Sequence, residues 1–159
     1  VIQEIWEDFE KHFGRKYAPI MSYKAEDADV VMLTMGSLGE TADVAVDRLR
    51  EKGMRVGTLK VKLWRPFPFE ELREALKGVK TLVVIDRAVS YGGPGGPVFS
   101  EVRSALFDET ERPVIINEII GLGGRQMAVE DFMKIFEKGA KAKRGKAEES
   151  YEIYGVRGA

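Results

Sequence analysis

Val30-Val31-Met32-Leu33-Thr34-Met35, running into Gly36-Ser37-Leu38-Gly39, reads as a strand that turns sharply into a helix. An unbroken apolar run, rather than alternation, marks a strand covered on both faces inside a parallel sheet. Gly36 turns the chain, Ser37 and Glu40 stand at capping-box spacing, and Leu38, Ala42, Ala45 and Leu49 form an apolar stripe before Gly53. The same unit then recurs. A second strand covers Arg55–Val61, after which Pro66 and Pro68 bar a central strand and prepare a helix through Phe69, Leu72, Ala75 and Leu76. Thr81–Ile85 is a third strand, leading into Asp86-Arg87 and the glycine-rich Tyr91–Gly96. Pro97 opens a helix striped by Val98, Val102, Ala105 and Leu106. Pro113–Asn117 is a fourth strand, followed by Gly121-Leu122-Gly123-Gly124 and a last helix with Val129, Phe132, Ile135 and Phe136. Strands and helices alternating every ~25–30 residues are βαβ units, with right-handed crossovers. The fold class is α/β: an open, mostly parallel sheet with helices on both faces.

Outward from this repeat, Val1, Ile2, Ile5, Trp6, Phe9 and Phe13 recur at helical spacing up to a stop at Gly14. A chain that opens without Met inside an amphipathic helix reads as cut from something longer. Residues 1–28 are therefore expected to be a linker helix and connector from a preceding domain, 29–139 the α/β domain, and 140–159 a basic linker and tail. Lys138–Lys146 has the composition of a solvated helix end. Tyr151–Val156 alternates like a strand that packs on a neighbour or on the sheet edge.

Composition narrows the chemistry. The chain has 159 residues, and its 25 Lys+Arg against 26 Asp+Glu leave a net charge of −1, which gives no electrostatic reason to expect nucleic acid or a membrane surface. There is no Cys, so disulfides, cysteine nucleophiles and protein-ligated iron–sulfur clusters are excluded for this chain. The single His, His12, excludes His triads and multi-His metal sites and falls on the polar side of its helix. Met32, Met35, Met54, Met127 and Met133 read as core fillers. No segment approaches the ~18 apolar residues of a membrane span, and a cytoplasmic location is the default.

In an open parallel sheet, ligands and partners meet the loops beyond the C-terminal strand ends. Four such loops share one rim: 36–39, 63–68, 86–96 and 118–125. Gly36-Ser37-Leu38-Gly39 lacks both phosphate-loop and dinucleotide fingerprints, and a capped turn is the simpler reading. Asp86 at the end of a buried strand could bind a cation, accept a phosphoryl group or clamp a loop. The acidic pair and later Lys of a receiver domain are missing, which leaves a loop clamp or salt bridge first and an inter-subunit contact second. Tyr91–Gly96 and Gly121–Arg125 permit close backbone approach, the latter with a guanidinium that grips carboxylate or phosphate. Protein docking is favoured over small-ligand binding for both. Trp64, Phe67, Phe69 and Tyr91 could form an exposed aromatic patch, and at least one of Trp64 and Phe67 should point away from the local core. The rim candidates are Arg65, Asp86, Arg87, Tyr91, Gly92, Gly93, Gly123, Gly124 and Arg125.

Four motifs occur in order: Met35-Gly36-Ser37, Arg65-Pro66-Phe67-Pro68, Asp86-Arg87 with Ser90-Tyr91-Gly92, and Gly121-Leu122-Gly123-Gly124-Arg125. Together they resemble the C-terminal, transketolase C-terminal-like domain of the alpha subunit of pyruvate:ferredoxin oxidoreductase (pyruvate synthase) and its 2-oxoisovalerate relatives. The resemblance implies oxidative decarboxylation of a 2-oxoacid with thiamine diphosphate and Mg²⁺, electron transfer through iron–sulfur clusters to ferredoxin, and delivery of the acyl group to coenzyme A. It also implies that the cofactors sit in other domains and in the beta, gamma and delta subunits. No catalytic, cofactor-binding or metal residue is carried over, and this segment alone should be inactive. The competing reading is a free-standing α/β domain that binds a nucleotide or coenzyme A on its glycine rim through Arg87 and Arg125.

Overall fold

The computed structural model describes residues 1–142 and 151–156. It contains α1 (Ile2–Phe13), β1 (Ile20–Tyr23), β2 (Val30–Met35), α2 (Leu38–Glu51), β3 (Val56–Val61), α3 (Phe69–Ala75), β4 (Thr81–Asp86), α4 (Pro97–Ala105), β5 (Val114–Ile119), a 3-10 turn at Leu122–Gly124, α5 (Val129–Lys141) and β6 (Glu152–Ile153). One six-stranded sheet runs in the order β1-β3-β2-β4-β5-β6. Every pairing from β3 to β6 is parallel, and β1 alone is antiparallel, on β3.

The period-2 geometry of the central strands builds two cores. Val31 and Leu33 of β2 and Leu82 and Val84 of β4 face α3 and α4, where Leu72, Val98, Phe99 and Val102 cover them. Val30 and Met32, with Val83 and Ile85, face α2 and α5 and meet Ala45, Leu49, Phe132 and Phe136. Both faces of β2 and β4 are thus buried, which is why their sequences are apolar without alternation. After β2 the chain moves outward to β3, then crosses back to β4. The reversal places a switch point between β2 and β4 on the rim.

Several expectations need correction. The stretch read as a connector before residue 29 carries β1, an edge strand whose Ile20–Tyr23 pairs with Val61–Thr58 of β3. Ser37 is αR and makes no side-chain cap, so the capping box does not form, and Glu40 instead binds Lys60 at 3.1 Å. Met35, expected to fill the core, is exposed at the strand end. Of the basic stretch 138–146, residues 138–141 close α5, and 143–146 lie outside the described residues. α1 ends at Gly14, whose φ of 67° is the left-handed stop, and no α1 side chain is buried. Among the described residues, no helix is long and apolar enough to cross a membrane.

Candidate functional site at the carboxyl rim of the sheet

Because β2, β3, β4 and β5 are parallel, the loops that follow them emerge on the same side of the sheet. The centre of that rim is built around Asp86, the last residue of β4, which is 2% exposed. Its Oδ1 accepts the Val98 N–H at 2.9 Å, and its Oδ2 accepts the Phe99 N–H at 3.1 Å and Asn117 Nδ2 at 3.0 Å. Val98 and Phe99 lie in the first turn of α4, so a carboxylate from a neighbouring strand caps this helix and complements its dipole. Burial pushes the Asp86 carboxyl above its ordinary pKa, and the three donors pull it back only in part. Of the alternatives open for Asp86, the geometry is that of a loop clamp made by hydrogen bonds.

Asn117 completes the clamp from β5. Its Nδ2 also donates to the Val84 carbonyl at 3.0 Å, and its Oδ1 accepts the Gly96 N–H at 2.9 Å. Every polar bond of that amide fixes backbone or carboxylate. The glycines beside it are required by space: a Cβ on Gly96 would stand 2.1 Å from Asp86 Cγ. The loop then closes on itself, with Ser90 N–H to the Gly95 carbonyl at 2.9 Å and Gly93 N–H to the Ser90 carbonyl at 2.8 Å. This leaves Tyr91 at its tip, 99% exposed.

The three rim arginines differ in what holds them. Arg65 stacks 4.4 Å over the Trp64 ring, donates to the Trp64 carbonyl at 2.8 Å and pairs with Glu101 of α4 at 3.1 Å. Arg125 donates to the Gly155 carbonyl. Arg87 is exposed, and its Nε would lie 3.3 Å from a Cβ on Gly121. Gly123 and Gly124 are exposed beside it with φ of 63° and 79°. Arg87, Tyr91, Gly92 and the 122–124 turn form the open part of the rim.

The aromatic patch divides. Phe67 is buried in the α3/α4 core and Trp64 packs half-buried against the same cluster, so neither points away from it, contrary to the expectation. Their rings meet edge-on at 5.6 Å, and Phe69 joins Phe67 at 5.2 Å while remaining partly exposed. An open groove lies between this loop and the start of α1, lined by Ile2, Pro19, Leu63, Pro66 and Phe67 among others. His12 is exposed and binds the Asp8 carbonyl at 2.8 Å.

Iron–sulfur clusters are implied for the complex, and the residues of this chain do not fit one. It has no Cys to ligate a cluster. Among the described residues, no group of three His, Asp or Glu could hold a metal ion.

The pyruvate:ferredoxin oxidoreductase core domain II family matches residues 28–132. The chain belongs to that family. The pyruvate synthase subunit PorA of Pyrococcus furiosus is 42% identical over 99% of this chain and 40% of its own length. The ketoisovalerate oxidoreductase subunit VorA of Pyrococcus abyssi is 41% identical over 97% of this chain and 39% of its own. This core domain II chain therefore spans about 40% of the curated relatives it matches. A split-gene transketolase solved as an inactive beta4 tetramer superposes with a TM-score of 0.61 at 19% identity, covering 82% of this chain and 46% of that one. That likeness establishes a transketolase-like α/β fold.

Asn117 was missed in the sequence as a member of the rim. The available signal was a lone amide at the end of an otherwise apolar strand, directly before Glu118.

Proposed function

We propose that this domain is the non-catalytic assembly domain of the alpha subunit of a thiamine-diphosphate-dependent 2-oxoacid:ferredoxin oxidoreductase. In this reading the whole enzyme oxidatively decarboxylates the 2-oxoacid, with pyruvate favoured, to an acyl-CoA and reduces ferredoxin in the cytoplasm. Its thiamine diphosphate, Mg²⁺ and clusters are carried by other domains and by the beta, gamma and delta subunits, whose surfaces the rim meets. The observation that carries this reading is the state of Asp86. The acid at the switch-point end of a central strand spends its oxygens on Val98, Phe99 and Asn117 rather than facing a substrate. It makes a rigid frame from which Tyr91 and Arg87 project, two of the residue types enriched at interface hot spots.

Co-expression of the complete alpha subunit with its beta, gamma and delta subunits tests it. Replacing Arg87 and Tyr91 together with Ala should reduce recovery of the assembled complex while leaving the thermal midpoint of the present chain unchanged. Turnover of pyruvate by the present chain alone, with thiamine diphosphate, Mg²⁺ and coenzyme A added, would overturn the proposal. The second reading, coenzyme A or a nucleotide on the rim, draws on exposed Arg87 beside the left-handed glycines of the 121–124 turn. Calorimetric titration with coenzyme A separates the two, since only the second predicts heat of binding.

A further inference from the structure

Residues 151–156 lie along the outer edge of β5 as a strap. β6 pairs with β5 at Glu118↔Glu152 and Ile119↔Ile153, and Tyr154 N–H donates to the Ile119 carbonyl at 2.9 Å. Side chains of the body hold the strap at three points. Lys138 of α5 bonds Glu118 at 2.5 Å and also Glu152. The Tyr154 hydroxyl donates to Asp131 Oδ1 at 3.0 Å. Arg125 donates to the Gly155 carbonyl, and a Cβ on Gly155 would come 2.6 Å from Arg125 Cζ.

Glu152 and Tyr154, two residues apart, meet Lys138 and Asp131 of α5, and the turn at Tyr154-Gly155, with Gly155 at φ 74°, brings the next carbonyl to Arg125. Without the strap, the same bed would present an open β-edge, a cation, a carboxylate acceptor and a guanidinium in fixed order. Glu118, fully buried beneath it, leaves Oε2 without a hydrogen-bond partner among the described residues. The strap's hold is short. Among the described residues, two form the ladder, and Glu152, Gly155 and Val156 are exposed.

We propose that the β5 edge is a strand-accepting site and that the strap is its resident internal ligand. A partner displaces it with a segment of the pattern acid–aliphatic–tyrosine–glycine, whose first two residues add to the sheet and whose tyrosine–glycine turn reaches Asp131 and Arg125. Backbone bonds to β5 supply affinity, while Lys138, Asp131 and Arg125 read the sequence. This goes beyond the assembly role and does not depend on it.

The probe is a labelled peptide with the sequence of residues 151–156, titrated into the intact chain and into a full-length Glu152→Lys/Tyr154→Ser variant whose strap has lost its side-chain anchors. Because the covalent strap competes at an effective concentration on the order of millimolar, the variant should bind the peptide at least about tenfold more tightly than the intact chain. A peptide with Lys in place of the acid should bind neither. Equal binding by both chains, or no binding by a variant that still melts cooperatively, overturns the proposal. Amide exchange on the unmodified chain gives a second readout that needs no variant. Tyr154 N–H should exchange at least about a hundredfold faster than Val83 N–H, through local opening. Exchange of both only at the rate of global unfolding overturns the proposal. Neither readout involves another subunit, so failure here leaves the assembly reading standing.

Discussion

Asn117 Nδ2 reaches from β5 to Asp86 Oδ2 on β4 at 3.0 Å, so two neighbouring strands are tied by side chains as well as by their ladder. The same amide receives the Gly96 N–H at 2.9 Å and bonds the Val84 carbonyl at 3.0 Å. One side chain thereby ties the glycine loop, the backbone of β4 and the acid that caps α4.

Asn117→Ala should destabilise the chain by about 2–3 kcal/mol, because it strands a buried N–H and removes a donor from a buried carboxylate. Asp86→Asn should cost less, about 1–2 kcal/mol, since the amide oxygen still accepts one of the α4 N–H groups. Urea unfolding measures both. An Asn117→Ala midpoint unchanged from the parent chain would show that the clamp is not a structural element.

Gly139 of α5 lies against the sheet, where a Cβ would meet Val83 Cγ2 at 2.7 Å and Val30 Cγ1 at 3.0 Å. Alanine gains about 1 kcal/mol of helix propensity over glycine. Overpacking two buried valines costs about 1–3 kcal/mol. The clash should win, and Gly139→Ala should lower the thermal midpoint. A raised midpoint would mean that α5 can move off the sheet freely.

Asp29 bonds Arg55 at 2.6 Å and Lys80 at 3.0 Å, and these cations, Arg55 first, hold its carboxyl below the ordinary value. A depressed acid contributes stability that is present above its unfolded pKa of about 4 and is lost as pH falls through the lower folded value. Asp29→Asn should therefore flatten the acid limb of a stability-against-pH curve without changing its slope near neutrality. Added salt should weaken the effect, because the group is partly exposed.

Burial and the bond to Asp131 push the Tyr154 hydroxyl up to about 12. The folded chain keeps this proton when the unfolded chain, at about 10, has lost it. The contribution of this hydroxyl to stability is therefore complete below pH ~10 and is lost as pH rises through the folded value. Ultraviolet titration should show a late tyrosine ionisation that is absent in Tyr154→Phe.

The apolar runs of β2 and β4 and the glycines that end their helices made the doubly covered sheet readable. Their order also placed the loops after β2, β3, β4 and β5 on one rim. β1 was not readable, because Ile20–Tyr23 lies among charges after Pro19 and becomes a strand only through antiparallel pairing with β3. Ser37 had the right spacing for a cap, yet its αR backbone turns the hydroxyl away from that role. Trp64 and Phe67 flank Arg65-Pro66, a spacing that predicts divergence, but both meet the α3/α4 core.

By itself the sequence determined the architecture, since periodic burial of apolar side chains is a local property that a strand or helix displays along its own length. It also determined the absence of thiolate chemistry, because that depends on composition alone. Only the tertiary structure decided the partners of Asp86, Arg65, Arg125 and Lys138. A polar side chain bonds whatever distant backbone or charge the packing brings within 3 Å or so, and nothing in its own neighbourhood of sequence specifies that encounter.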